Sequence, residues 1–323
     1  MAFPNLSDLA ATTIANYQTQ LADNVTSHNA LFAAMKKAGN MQITGGDPIY
    51  EQFSFAENGN GGSYSGYDQL PTNAADVLSG AQYSLAQYAV PVVFSGREEL
   101  INAGKQQIID LVDSRVQVAE ATMANLLNRH AYLDGTGNNG KNITGLAAAV
   151  VASAAPTNTY GGITRNATTN AFWNNKYWLA SGNGGVATAA TIQTHWNQFV
   201  IQMTRGIDRP NLIIAAPAVY AIFEASLQTI QRVMDADTAS AGFKALEFQG
   251  IPVVFDTLAS GISANYAYFL NTKYLKFRTH KDRNFIALDQ KQSFNQDATV
   301  KTLAWAGNIT CSGAQFLGLF NNA

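Results

Sequence analysis
Apolar residues run along the first forty positions without keeping to one side. Leu6, Leu9, Ile14, Tyr17, Leu21, Val25, Leu31 and Phe32 scatter around the cylinder of a helix predicted over residues 5–37, which Gly39 ends. A helix with no narrow apolar stripe fits a local core poorly, so it reads as an arm that packs on another surface. From residue 41 to 94 the pattern changes to strand-prone aromatics: Tyr50, Phe53, Phe55, Tyr64, Tyr67, Tyr83, Tyr88 and Phe94. Residues 57–63 between them are rich in Asn and Gly, with Gly59, Gly61 and Gly62 making a flexible turn. The expectation is a long two-stranded excursion with a glycine-rich tip. An isolated hairpin is marginal in water, so this one needs a partner surface in its own molecule or in a neighbour.

The most regular helical pattern follows. Ser95 and Glu98 stand as N-cap and N3 of a capping box. Ile101, Lys105, Ile108, Val112, Val116, Ala119, Met123, Leu126 and His130 then recur at spacings of three and four. This predicts a spine of roughly 38 residues, about 57 Å long, ending near Gly135. Residues 135–190 are rich in Gly, Asn, Ala and Thr, and no Asp or Glu lies between Asp134 and Asp208. A helix over 190–205, a strand over 211–215, a helix opened by Pro217 and strands over 250–255 and 266–270 alternate as in an α/β unit. Strands are predicted again over 274–280, 284–289 and 298–310.

Composition adds that the surface is neutral. Charged residues are 13% of the chain against 47% hydrophobic, and the net charge is -2. No overall basic field draws nucleic acid, and a surface of Asn, Gln, Ser, Thr and Gly suits extensive contact with other protein. Cys311 is the only cysteine, so no intrachain disulfide forms, and a lone cysteine reads as a small core residue. The first residues lack a basic and an apolar signal region, so synthesis and residence in a cytoplasm are expected. The most apolar stretches, 146–155 and 212–223, are too short to span a bilayer, and no membrane partner is expected.

Two glycine-rich loops resemble phosphate-binding motifs. Gly135-Thr-Gly137-Asn-Asn-Gly140-Lys141 fits G-x-G-x-x-G and the start of a P-loop, but Asn142 stands where Ser or Thr must hold Mg²⁺. A long helix, not a strand, precedes it, so a glycine C-cap and turn is the better account. Gly182-Asn-Gly184-Gly-Val-Ala187 follows residues 172–179, a poor buried parallel strand. His28, His130, His195 and His280 are far apart, which leaves no zinc pattern. No nucleophile elbow occurs either. No catalytic residue, cofactor or metal is assigned. Lys273, Lys276, Arg278, His280, Lys281 and Arg283 form the one basic cluster, read as a solvated face or as a contact for packaged DNA or an acidic neighbouring subunit.

The order of parts resembles the Hong Kong 97-type major capsid proteins of tailed bacteriophages. Local sequence carries the same resemblance: Leu133-Asp-Gly-Thr-Gly137 then Thr144-Gly-Leu146, Asn211-Leu-Ile-Ile-Ala-Ala-Pro-Ala-Val-Tyr220, Phe248-Gln-Gly-Ile-Pro-Val-Val254 and Phe269-Leu-Asn-Thr-Lys-Tyr-Leu275. The resemblance implies an α+β fold with residues 1–40 as N-terminal arm and 41–94 as E-loop. Residues 95–140 with 273–323 would be the P-domain around the spine helix, and 141–272 the A-domain. It implies a non-enzymatic shell subunit that assembles with itself into hexamers and pentamers. Portal and scaffolding proteins and non-specifically held DNA are further expected partners, with decoration proteins left open. The implied location is the virion capsid, assembled in the host bacterial cytoplasm. Tyr50, Phe53, Phe55, Tyr64 and Tyr67 are the expected assembly contacts, and Gly39, Gly59, Gly61, Gly62, Gly135 and Gly137 the hinges. Some members cross-link through an E-loop lysine, but no lysine lies between Lys37 and Lys105, so no such bond is expected. The early start of the arm leads us to expect no scaffolding segment ahead of it. An encapsulin-like nanocompartment and an α/β nucleotide-binding enzyme are the competing readings.

Overall fold
The computed structural model describes residues 29–69, 72–95, 97, 105–227, 246–257, 260–288, 291–292 and 297–323. First come α1 (Ala30–Lys37), β1 (Met41–Thr44), β2 (Ile49–Ser54), β3 (Leu78–Tyr83), β4 (Ala86–Ser95) and α2 (Lys105–His130). The middle holds β5 (Thr159–Tyr160), β6 (Ile163–Thr164), β7 (Lys176–Leu179), α3 (Ile192–Met203), β8 (Leu212–Ala215), α4 (Pro217–Ser226), β9 (Leu246–Phe248), β10 (Ile251–Phe255) and β11 (Tyr266–Leu270). The chain closes with β12 (Leu275–His280), β13 (Ile286–Ala287), β14 (Lys291–Gln292), β15 (Ala298–Cys311) and β16 (Gly318–Asn321).

β15 is the axis of the first sheet. It pairs antiparallel with β4 from Ala298↔Ser95 to Gly307↔Ala86, and with β12 from Gly307↔Thr279 to Cys311↔Leu275. β13 and β14 take the edge opposite β4, and β1 adds in parallel outside β12. An aromatic stack fills its core: Phe32 of α1 lies 4.7 Å from Phe277, which stacks on Trp305 at 5.4 Å. Leu31, Phe32 and Met35 are fully buried and α1 touches both β12 and β8. The described end of the predicted arm is therefore at home on its own molecule, contrary to the expectation of an arm packed elsewhere; residues 1–28 lie outside the described residues.

β1 and β4 belong to this sheet, so the two-stranded excursion expected over residues 41–94 is confined to β2 and β3. No described residue between them is in a strand, although Tyr64 and Tyr67 are strand-prone. Aromatic propensity measures fit to a half-buried pleat, and no second surface pleats against these residues. α2 has 26 described residues, about 39 Å. Ser95 ends β4 opposite Ala298, and its capping-box partner Glu98 lies outside the described residues. Over its described side chains, from residue 115 on, α2 buries the apolar residues Val116, Ala119, Met123, Ala124 and Leu127. Leu127, not the expected Leu126, completes it: at roughly 100° per residue Leu127 returns to within about 20° of Val116, while Leu126 stands about 80° away.

The second sheet runs β7-β16-β11-β8-β10-β9. Leu212-Ile-Ile-Ala215 is buried on both faces, as a central strand covered from both sides must be. Leu212 and Ile214 join the core shared with α1 and α2, while Ile213 and Ala215 face α3 and α4. That second core is a cluster of rings around Trp196: Phe223 stacked at 4.5 Å, with Phe248 and Phe269 edge-on at 5.4 Å. Pro217 opens α4 at its first turn, as the sequence implies. Residues 176–179, read as a poor buried strand, form β7, a partly exposed edge strand that pairs in parallel with β16. β16, for which the sequence pattern predicts no strand, inserts between β7 and β11.

Candidate assembly surface
The β2–β3 hairpin leaves the molecule from a root that the chain secures itself. Alternation along β2 turns Ile49, Glu51 and Phe53 inward and Tyr50 outward. Glu51, 3% exposed, accepts from Arg278 Nε at 2.6 Å, Lys276 Nζ at 2.8 Å and Thr310 Oγ1 at 2.9 Å. Burial pushes its pKa up, but the hydrogen bonds from Arg278, Lys276 and Thr310 outweigh that and hold it below the ordinary carboxylate value. Phe53 stacks on Trp173 at 4.6 Å, and Phe55 meets Phe172 at 4.9 Å. From β3, Tyr83 donates its hydroxyl to the Cys311 carbonyl at 2.9 Å, and the Gln82 N–H reaches the Gly161 carbonyl at 2.9 Å.

What receives the hairpin is an irregular segment built around one guanidinium. Arg165, 1% exposed, donates to the carbonyls of Trp173, Ala148 and Ala149 and to the side chains of Asn158 and Asn175. Its charge lies over the Tyr160 ring at 5.2 Å. Desolvation pushes its pKa down. These bonds replace the regular ladder that a Gly- and Asn-rich stretch lacks, and they hold Phe172 and Trp173 where Phe53 and Phe55 land.

Past the root the described hydrogen bonds of the hairpin run between its own residues. The Phe55 N–H donates to Val77 at 3.1 Å, the last rung. Beyond it Asn60 hydrogen-bonds the Asn73 carbonyl, and Asp68 caps the Ser65 N–H at 2.8 Å. Tyr64 is 67% exposed and Tyr67 104%, with Tyr50 at 62% on the outer face of the root. Of the five expected contacts, then, Tyr50, Tyr64 and Tyr67 face solvent, whereas Phe53 and Phe55 are already used inside the molecule. Among the expected hinges, Gly39 and Gly135 take φ values of 71° and 84° that demand glycine. Gly59, Gly61, Gly62 and Gly137 take no such conformation.

The basic cluster is largely spent. Lys276 and Arg278 serve Glu51, and Lys273 pairs with Asp208 at 3.2 Å. Tyr274 donates to Asp208 at 2.9 Å, and this bond, with Lys273, holds that carboxyl below its ordinary pKa. His280 ends β12, and Lys281 and Arg283 lie in the turn after it. The glycine-rich loop after α2 passes through left-handed Asn138 and Asn139 and Gly140 rather than feeding a helix that points at phosphate. The other loop, Gly182 to Ala187, ends before α3 begins at Ile192, and Asn322 accepts from the Ala187 N–H. His130 accepts from or donates to the Tyr88 hydroxyl at 2.8 Å, and His195 meets Trp178; His28 lies outside the described residues. Among the described residues no three His, Cys, Asp or Glu side chains converge on one point. None of the helices searched among them is long and apolar enough to cross a membrane.

Sequence reasoning missed Glu51 and Arg165. The signal was present in both: Glu51 is a carboxylate at an inward position of an alternating strand, and Arg165 stands in a stretch without any carboxylate to pair it.

No protein-family model matches the chain, and no curated protein matches it. Solved structures do. The capsid asymmetric unit of cyanophage A-1(L) aligns with a TM-score of 0.63 at 16% identity, over 89% of this chain and 92% of that one. The capsid of a native GTA particle aligns at 0.54 and 12%, covering 89% of each. The holo-SrpI encapsulin complex of Synechococcus elongatus PCC 7942 aligns at 0.51 and 8%, over 90% of this chain and 87% of that one. Over most of its length, this protein has the mixed helix-and-sheet fold of capsid proteins.

Proposed function
We infer that the chain is the major capsid protein of a tailed phage, a shell subunit of the Hong Kong 97 type that works by self-assembly and performs no chemistry. One observation carries the reading beyond the fold: a hairpin whose root is locked by Glu51, Phe53 and Tyr83 presents a tip with two largely exposed tyrosines, Tyr64 and Tyr67. Exposed tyrosines on a rigid stalk are the composition of an interface anchor, and a stalk built to leave the body has its partner elsewhere. In this reading β2, β3 and the loop between them are the E-loop. α2 with the first sheet is the P-domain, and the second sheet with α3 and α4 is the A-domain. The shell consists of pentamers and hexamers of this chain around double-stranded DNA. Portal and scaffolding proteins join during assembly in the host cytoplasm.

The experiment is to express the full chain, sediment it and image the fast fraction. Closed shells are expected; a single species at the 34.6 kDa monomer mass at every concentration overturns the reading. An encapsulin shell is the second reading, supported by an alignment that is looser than the cyanophage one, 0.51 against 0.63. Contents separate the two: nucleic acid in particles from infected cells, or a co-purifying enzyme.

A further inference from the structure
An asparagine followed by glycine can react with its own backbone, because no Cβ shields the glycine nitrogen from the asparagine side chain. The chain has four such pairs: Asn58-Gly59, Asn60-Gly61, Asn139-Gly140 and Asn183-Gly184. The reaction asks two things of the fold. The glycine nitrogen and the side-chain Cγ must be free to meet. The side-chain oxygen must also be helped to carry negative charge while that carbon is tetrahedral.

In three pairs hydrogen bonds hold the reacting groups. The Gly140 N–H donates to the Thr136 carbonyl at 3.1 Å, with Asn139 in the left-handed region at φ 56°. The Gly61 N–H donates to the Asn58 carbonyl at 3.2 Å, and the Asn60 side-chain amide is tied to the Asn73 carbonyl. Asn183 closes a short turn of 3-10 helix, and its amide donates to the Leu179 carbonyl at 2.8 Å.

Asn58 and Gly59 are both exposed and are held by neither kind of bond. The Gly59 N–H donates no hydrogen bond among the described residues, and a Cβ at Gly59 would meet nothing within 4 Å. The Asn60 N–H donates to Asn58 Oδ1 at 3.0 Å, a turn that folds the side chain over the Gly59 peptide. That bond also puts a donor on the oxygen where charge would develop. Asp134-Gly135 makes the same turn, the Thr136 N–H donating to Asp134 Oδ1 at 3.0 Å. There the bonds from Thr136 hold a carboxylate below its ordinary pKa, and an anion repels the incoming nitrogen.

We propose that Asn58 is a site of self-modification in the hairpin tip. The Gly59 nitrogen gives its proton to hydroxide and bonds to Asn58 Cγ, and Nδ2 takes up a proton from water and leaves as ammonia. A second water opens the resulting cyclic imide to aspartate or isoaspartate. The tip gains a carboxylate next to Glu57, and isoaspartate lengthens its main chain by a methylene. The inference does not depend on the shell reading.

The full-length protein is held folded in mildly alkaline buffer, sampled over days, digested and read by mass spectrometry at all four pairs. Isoaspartyl methyltransferase counts the isoaspartate. Asn58 should convert about tenfold faster than Asn60, Asn139 or Asn183, since one aligned donor acts here in water rather than in a dry site. In urea, where the turns are gone, the four rates should converge. Gly59→Ala, whose β-carbon crowds the nitrogen, should slow conversion several-fold. Asn60→Pro, which removes the donor to Oδ1 and leaves the pair intact, should do the same; hydrogen exchange in β2 and β3 checks that the root is unchanged. Conversion of Asn58 in the folded chain no faster than at the other three pairs overturns the proposal. So does an identical ranking in urea, or an Asn60→Pro variant that reacts at the wild-type rate.

Discussion

Replacing Glu51 by glutamine removes one charge from the hairpin root while keeping its shape. In the wild type a carboxylate 3% exposed faces Lys276 and Arg278, whose side chains retain 24% and 18% exposure. Taking one partner out of a buried ion pair costs about 3–5 kcal/mol, chiefly because the remaining charge stays desolvated. Here the two cations keep some water and the amide oxygen still accepts a hydrogen bond, so we expect ~2 kcal/mol. That is roughly a 30-fold rise in the opening equilibrium of the root. The loss should be local. Hydrogen exchange of the amides in β2 and β3 should accelerate by that factor, while those of β8 and β11, in the other sheet, keep their protection.

The same carboxylate carries a pH signature. Its folded pKa lies below the ordinary 4.5, so the stability it contributes is complete above that value. It is lost as pH falls through the lower folded value. Wild-type β2 and β3 should therefore lose protection on acidification below about pH 4.5, and the Glu51→Gln variant should not show that component. Equal exchange in the two proteins at pH 7, or an identical acid response, refutes the assignment of Glu51 as the anchor.

A Cβ at Gly145 would sit 2.4 Å from the carbonyl oxygens of His130 and Leu133 and 2.5 Å from that of Ala131. Backbone cannot yield as a side chain does, so Gly145→Ala should express as insoluble protein. Gly59→Ala, with open space at its Cβ, should melt within about 0.5 kcal/mol of wild type. Tyr67→Ala should leave the monomer's urea midpoint unchanged yet weaken subunit association by about 2 kcal/mol, read as a raised critical concentration for shells. Particles boiled in detergent should run as one band at the 34.6 kDa chain mass; a ladder of multiples would show a covalent link that no E-loop lysine can supply.

The elements that periodicity located well are those whose neighbours are all within the chain. Strand 266–270 was predicted residue for residue, and β8 to within one residue, because a continuous apolar run bounded by turn residues describes a strand covered on both faces. α2 was legible as a helix, but its seam was misplaced at Leu126, since spacings of three and four accumulate an angular drift that a residue list conceals. The hairpin shows a different limit. Alternation along residues 49–54 states which side chains point inward; it does not state what they meet. Phe53 and Phe55 looked like contacts waiting for a neighbour because Phe172 and Trp173 lie more than a hundred residues away in sequence, in a stretch with no periodicity to announce that it folds.

That limit has a physical consequence for the assembly reading. A hairpin with no home on its own chain would be free to swing, and each docking event would bear the entropy of stopping it. The bonds of Glu51, the ring contacts of Phe53 and the Tyr83 hydroxyl hold the root before any neighbour arrives. In the assembly reading, Phe53 and Phe55 would thus act one step earlier than contact, by aiming the stalk, and the affinity per contact would rest on the exposed side chains beyond residue 55. Weakening the root without touching the tip should therefore slow and loosen association even though no interface residue has changed. Assembly by Glu51→Gln that matched wild type in rate and critical concentration would show that preorganisation of the stalk contributes nothing.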